Sequence, residues 1–153
     1  MKITDYLSPE LVVAELAQVS KEETLKLLSA RVAVVFPELS EEKILTVLRD
    51  REVLGSTGIG GGIAIPHGKM AELEKIVVLF ARSRNGVDFA AVDGQLVHLF
   101  FLLLAPENSA GIHLKTLAQI SRMLKNRDFC DKLREAEDGL SLFNMIKLED
   151  ERS

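Results

Sequence analysis

The chain has a single cysteine, Cys130, so no internal disulfide can form, a usage that suits a reducing compartment. Basic residues are not in excess either. Lysine and arginine total 19 against 23 acids, a formal net charge of -4. With no basic stripe to displace phosphate counterions, general nucleic-acid binding is excluded. Long apolar runs are missing too. The most apolar stretch, LVHLFFLLLA at residues 96–105, is interrupted by His98 and is about half the length of a membrane-spanning helix. It reads as a buried strand. The first residues, MKITDYLSPE, place acids and a proline where a signal peptide needs an apolar core, so none is expected. No repeat, low-complexity tract or Pro/Ser/Gly linker divides the sequence, and residues 1–153 read as a single domain. With 47% hydrophobic and 27% charged residues, the composition supports a core and is that of a soluble globular protein.

Strand and helix signals are interleaved along the chain. LVVAEL (11–16) is short and β-branched, a first strand. Ser20 opens SKEE, a capping box in which Ser20 and Glu23 satisfy each other's backbone N–H groups. Leu25, Leu28, Val32 and Val35 follow at helical spacing, and the helix is expected to stop before Pro37. Ser40 caps a second helix, EEKILTVLRDREVLG, with acids in its first turn and Gly55 at its end. IAI (63–65) and KIVVLFAR (75–82) read as strands, and residues 85–95 carry two turn signals, Asn85-Gly86 and Asp93-Gly94. The strand at 96–105 closes at Pro106. Three helices fill the last third; in the first, Leu117, Ile120 and Leu124 share a face with Leu114 beside them. This order predicts an α/β fold with a mixed central β-sheet flanked by helices on both faces.

Six of the ten glycines lie in GSTGIGGGIAIPHGKM, residues 55–70, around His67. Three glycine motifs fail to match. A phosphate-binding P-loop needs four residues between its glycine and Gly-Lys, then Ser or Thr; Gly62 and Gly68 have five between them, and Met70 follows Lys69. The dinucleotide fingerprint meets Ile63 or Ile65 where its third glycine belongs. The serine elbow needs a glycine where Leu54 precedes Ser56. What remains is physical. Glycines at 58, 60, 61 and 62 let bare N–H groups converge, a concavity that favours an anion. Pro66 and Gly68 hold His67 on a stiff approach with space behind it. The bland alternative is a tight turn whose histidine merely packs.

The stretch STGIGGGIAIPHG resembles the active-site signature of the fructose/mannitol-type IIA domains of the bacterial phosphoenolpyruvate-dependent phosphotransferase system. Within that family the chain resembles the small nitrogen-regulatory IIA proteins. The likeness extends to Arg51-Glu52 at the end of a helix, to FAAVDGQLVHLFFLLLAP and to HLKTLAQISRML. It implies a histidine phosphoryl carrier in the cytoplasm. His67 would take a phosphoryl group from the phosphohistidine of an HPr-type phosphocarrier, with no cofactor and no metal. His113 matches a second active-site histidine, and Arg51 a site arginine. Nitrogen-branch members often carry asparagine where Gly61 stands, and no function attaches to the position of His98.

Phosphoryl transfer between histidines is positioning plus electrostatics. An acceptor must hold the ring's other N–H, and with no carboxylate beside His67 in sequence a backbone carbonyl is expected, leaving Nε2 to attack. The N–H groups of Gly60, Gly61 and Gly62, with the Ser56 and Thr57 hydroxyls, are candidates for the phosphoryl oxygens. Alternatives stand beside these roles. Arg51 also complements a helix dipole; His113 can bond to backbone at a helix start; Ser56 and Thr57 can simply cap the loop. His98 reads as a sheet histidine and Cys130 as structural. The three histidines lack metal-ligand spacing. An apolar rim of Ile59, Ile63 and Met70 is a candidate docking patch for the donor.

Two functions fit one site. In the first, phosphorylation at His67 switches which regulatory target binds, such as a potassium transporter or a sensor kinase. In the second, a sugar-specific relay passes the group to a IIB domain during fructose- or mannitol-type uptake. The sequence has no IIB-like cysteine loop, no linker and no membrane segment, which favours regulation.

Overall fold

The computed structural model of the protein describes residues 2–152. Two 3-10 turns (Ile3–Asp5 and Pro9–Leu11) lead into β1 (Val12–Val13), α1 (Lys21–Val35) and α2 (Glu41–Val53). Then come β2 (Gly58–Gly60), β3 (Ile63–Ala64), β4 (His67–Met70), β5 (Val77–Val87) and β6 (Val97–Pro106). The chain finishes with α3 (Ala110–Leu124), α4 (Arg127–Glu135) and α5 (Gly139–Arg152). The expected mixed sheet is present. β5 and β6 form its antiparallel centre, with Phe80 opposite Phe101. β1 runs parallel to β5, β3 parallel to β6, and β2 antiparallel to β3 at the edge. β4, which the sequence reading left unassigned, follows β3 along the same side of β6, pairing His67 with Leu103. Pro66, with no N–H to give, interrupts the two short strands.

Helix boundaries follow their caps. The Ser20 hydroxyl accepts the Glu23 N–H and the Ser40 hydroxyl that of Lys43, each relieving one orphan donor of a first turn. Leu25, Leu28 and Val32 are buried, and α1 stops at Val35 as Pro37 requires. α1 and α2 pack on each other, and α3, α4 and α5 form a second group. Burial does not alternate along β5 and β6: Val77–Ala81 and Leu99–Ala105 are buried without a break. Both faces of the sheet centre are therefore covered, as a strand with no polar side requires.

Three local readings change. Only Val12–Val13 of LVVAEL is extended, because the turn at Pro9–Leu11 takes its first residue. Asn85-Gly86 is not a turn; β5 runs through it as a bulge, with the register shifting between Arg82 and Val87 and Gly86 at φ 87°. Leu114 is exposed, while His113, Thr116, Ile120 and Met123 form the inner face of α3. Arg82, inside the apolar strand signal, is wholly buried. Its Nε donates to Ala14 O at 2.9 Å, and its Nη1 to Leu133 O at 2.9 Å and Arg134 O at 3.2 Å. It thereby satisfies carbonyls that the last turn of α4 leaves open. Burial lowers its pKa, with Arg84 adding to the effect.

Candidate functional site

The end of α2, the start of β4 and the first turns of α3 meet at His67. The His67 Nδ1 lies 2.6 Å from the carbonyl oxygen of Ile65. A carbonyl only accepts, so Nδ1 carries the proton and Nε2 the lone pair. This is the backbone acceptor and the tautomer expected from the sequence. Arg51, in the last turn of α2, donates from Nη1 to Gly55 O at 2.7 Å and from Nε to His67 Nε2 at 3.3 Å. It complements the helix dipole and touches the ring as well.

His113 comes in from α3. Its ring centroid is 5.7 Å from that of His67 and nearly perpendicular, at 74°. The residue is 7% exposed, and its Nδ1 has no hydrogen-bond partner among the described residues. The alternative of an Nδ1 bonded to backbone is therefore set aside. A buried polar atom without a partner is uncommon and asks for a reason. Burial first, then the charges of His67 and Lys69, holds the His113 pKa below the ordinary histidine value. His113 is thus a neutral ring at neutral pH.

Ser56 and Thr57 are committed within their loop. The Ser56 hydroxyl donates to Phe89 O at 3.0 Å and accepts the Gly58 N–H at 3.0 Å. The Thr57 N–H donates to Glu52 Oε1 at 3.0 Å and its hydroxyl to Glu52 Oε2. Both hydroxyls are engaged in bonds that cap the loop. Gly60 ends β2 at φ 99°, and Gly61 and Gly62, at φ 67° and 80°, form the tight turn to β3, with the positive angles that a two-residue hairpin demands. The Gly61 N–H is spent on Asp93 Oδ2 at 3.0 Å. Ile63 pairs with Leu99 and His67 with Leu103, so about 13 Å of strand separates this turn from the histidine.

The proposed apolar rim also changes. Ile63 and Met70 are buried, and only Ile59 of that set is exposed. The exposed apolar residues adjoining the site in sequence are Val53 and Leu54 after Arg51, and Ile112 and Leu114 either side of His113. His98 donates its Nδ1–H to Ser83 O at 2.9 Å, a sheet histidine. Cys130 is buried, its thiol 3.4 Å from Leu124 O, and burial pushes its pKa up, away from reactivity. Among the described residues no three His, Cys, Asp or Glu side chains gather as a metal would require, and no helix is long and apolar enough to cross a membrane.

Glu52 was missed. Its side chain is 6% exposed and also takes Lys21 Nζ at 2.8 Å. Periodicity gives no hint of it; the one signal is its place beside Arg51, directly before the loop.

A family model described as the phosphoenolpyruvate-dependent sugar phosphotransferase system, EIIA 2, matches residues 5–148. The nitrogen regulatory protein of Bradyrhizobium diazoefficiens is 44% identical over 148 residues, 97% of this chain and 96% of its own length. The crystal structure of the nitrogen regulatory protein IIA-Ntr from Neisseria meningitidis aligns with a TM-score of 0.88 at 30% identity, covering 94% of this chain and 98% of that one. The mannitol IIA enzyme of Escherichia coli, solved in complex with phosphorylated mannitol IIB, shares the fold at a TM-score of 0.75 and 21% identity, with 92% and 96% of the two chains covered. The chain belongs to the EIIA 2 family of the phosphoenolpyruvate-dependent sugar phosphotransferase system.

Proposed function

We propose that the protein is a histidine phosphoryl carrier that accepts a phosphoryl group on Nε2 of His67 from an HPr-type phosphohistidine donor and serves a regulatory, nitrogen-branch role in the cytoplasm. One observation carries the reading. The Nδ1–H of His67 is held by the Ile65 carbonyl, so the lone pair of Nε2 is presented to the space shared with Arg51 and His113. In the transfer, that lone pair forms the new N–P bond. The donor's N–P bond breaks and its electron pair returns to the donor ring. Positive charge builds on the His67 ring as the bond forms, and the Ile65 carbonyl stabilises it through Nδ1–H. Arg51 must first leave Nε2, because its N–H occupies the lone pair; its guanidinium then stays close enough to take phosphoryl oxygens. Neutral His113 supplies a further ring nitrogen at the same point. Val53, Leu54, Ile112 and Leu114, next to Arg51 and His113 in sequence, offer a donor exposed apolar side chains.

The test is intact-mass spectrometry at neutral or alkaline pH, after incubation with phosphoenolpyruvate and the general phosphotransferase proteins. The parent gains one phosphoryl group and His67→Ala gains none; labelling of His67→Ala would sink the assignment. A second reading, relay to a IIB domain, draws on the complex that mannitol IIA forms with IIB. Loss of the label to an added fructose- or mannitol-type IIB protein would favour it. Phosphorylation-dependent binding to a regulatory target such as a potassium transporter or a sensor kinase would favour regulation.

A further inference from the structure

We infer that Glu52 is a positioning residue for His67, acting through Thr57 and Ile65 to keep the ring proton on Nδ1. The inference rests on the reading of His67 as a nucleophile at Nε2. Each link is a hydrogen bond of defined direction. The Glu52 carboxylate accepts the Thr57 N–H at Oε1 and the Thr57 hydroxyl at Oε2. The Thr57 carbonyl accepts the Ile65 N–H at 3.0 Å. The Ile65 carbonyl accepts the His67 Nδ1–H at 2.6 Å. Thr57 and Ile65 are buried, so water has little access to replace any link. Pro66 stiffens the single residue between carbonyl and ring.

The other side of the ring is set from the same helix turn. Arg51 reaches Nε2 and clamps Gly55 O, while its neighbour Glu52 governs Nδ1 through the loop that Gly55 begins. Two consecutive residues of α2 thus define both ring nitrogens. A purely stabilising carboxylate would not need this placement. Glu22 and Arg49 already pair α1 with α2 on the exposed surface. Glu52 instead lies almost buried against Lys21, and a buried ion pair adds little net stability for its desolvation cost. Its two oxygens are directed at one residue, Thr57, whose carbonyl then leads to the ring.

Nitrogen-15 NMR of ring-labelled histidine reads the tautomer directly, with phosphoryl uptake measured on the same samples. In the parent, His67 Nδ1 is protonated and Nε2 is not. In Glu52→Gln and Thr57→Val, the two His67 nitrogen signals move toward each other as the second tautomer becomes populated. Phosphoryl uptake slows about tenfold, the order seen when a group supporting a reactive side chain is removed. Thr57→Ser, which keeps the hydroxyl, restores both readouts. Lys21→Met removes the ion pair but not the Thr57 bonds, so it lowers the melting temperature and leaves the ring signals in place. His98, whose Nδ1 is held by Ser83, is the internal reference and does not move. If Glu52→Gln fails to fold, the Thr57→Val and Thr57→Ser pair decides. Unchanged His67 signals in folded Thr57→Val, or equal movement in Lys21→Met, overturns the inference. A parent that takes no phosphoryl group sinks the carrier reading instead, and the ring signals still judge the positioning.

Discussion

His67 and His98 are alike in one respect and different in the one that matters. Both donate Nδ1–H to a backbone carbonyl, Ile65 O at 2.6 Å and Ser83 O at 2.9 Å. Both rings therefore keep a fixed tautomer with the lone pair on Nε2. The edge of His98 that carries this atom lies against Gly86, where an added Cβ would meet Cε1 at 2.9 Å and Nε2 at 3.0 Å. Nε2 of His67 faces Arg51 and the ring of His113. A held tautomer is ordinary sheet chemistry. A held tautomer facing a guanidinium and a second histidine ring is what the proposed phosphoryl transfer uses.

The largest effect expected from this difference is all or nothing. His67→Ala takes up no phosphoryl group, while His98→Ala stays within about twofold of the parent rate, since its ring touches no reacting atom. Intact-mass time courses measure both. Labelled His67→Ala that loses its label only when His98 is also removed would reverse the assignment of the two histidines. Next comes Arg51→Gln, which removes the charge and shortens the side chain. Uptake should slow about 100-fold, the order for losing one donor aimed at a developing anion. A rate unchanged in Arg51→Gln would reduce Arg51 to a helix-end charge.

His113 gives a smaller effect on a different axis. Its pKa is lowered in the folded protein, chiefly by burial, and returns to about 6.5 in the unfolded chain. The unfolded state then binds more protons than the native state at mildly acid pH, so stability rises with pH in that range. The contribution is fully present above the unfolded value and is lost as pH falls below it toward the folded one. Thermal melting between pH 8 and pH 5 should show the parent losing stability at the acid end and His113→Gln losing less. Identical pH profiles would mean that His113 titrates normally and is open to water.

Much of this was legible from the residues. Ser20, Ser40 and Pro37 bounded two helices, and the apolar run at 96–105 announced β6, because caps and runs are local signals. The His67 tautomer was legible as well, since no carboxylate stood beside it and a backbone acceptor was the remaining choice. The placement of the glycines was not legible. A run of bare N–H groups near a histidine in sequence suggested an anion cradle, but β2 and β3 fold as a hairpin and carry its tip away from the ring. The glycine pattern states which angles are needed and not which neighbour is met. Glu52 was silent because its role depends on Thr57 returning to the level of Ile65, a pairing that no periodicity encodes. Arg82 was silent for the same reason: its partners lie on α4 and beside β1.

The smallest effect tests whether the glycine turn serves the phosphoryl group. At φ 67°, Gly61 occupies the left-handed region, where asparagine is tolerated and β-branched residues are not. A Cβ there would lie 3.0 Å from Arg127 Nη1, the far end of a flexible side chain that can shift. Gly61→Asn should therefore change stability by no more than about 1 kcal/mol, whereas Gly61→Val should cost about 1–2 kcal/mol from backbone strain. Neither should alter the phosphoryl uptake of folded protein, because the turn lies about 13 Å along β6 from the ring. Denaturant melts and uptake rates on the same samples separate the two effects. Slower uptake in Gly61→Asn with an unchanged melt would bring the glycine turn back to the phosphoryl group and erase its distinction from the residues around His67.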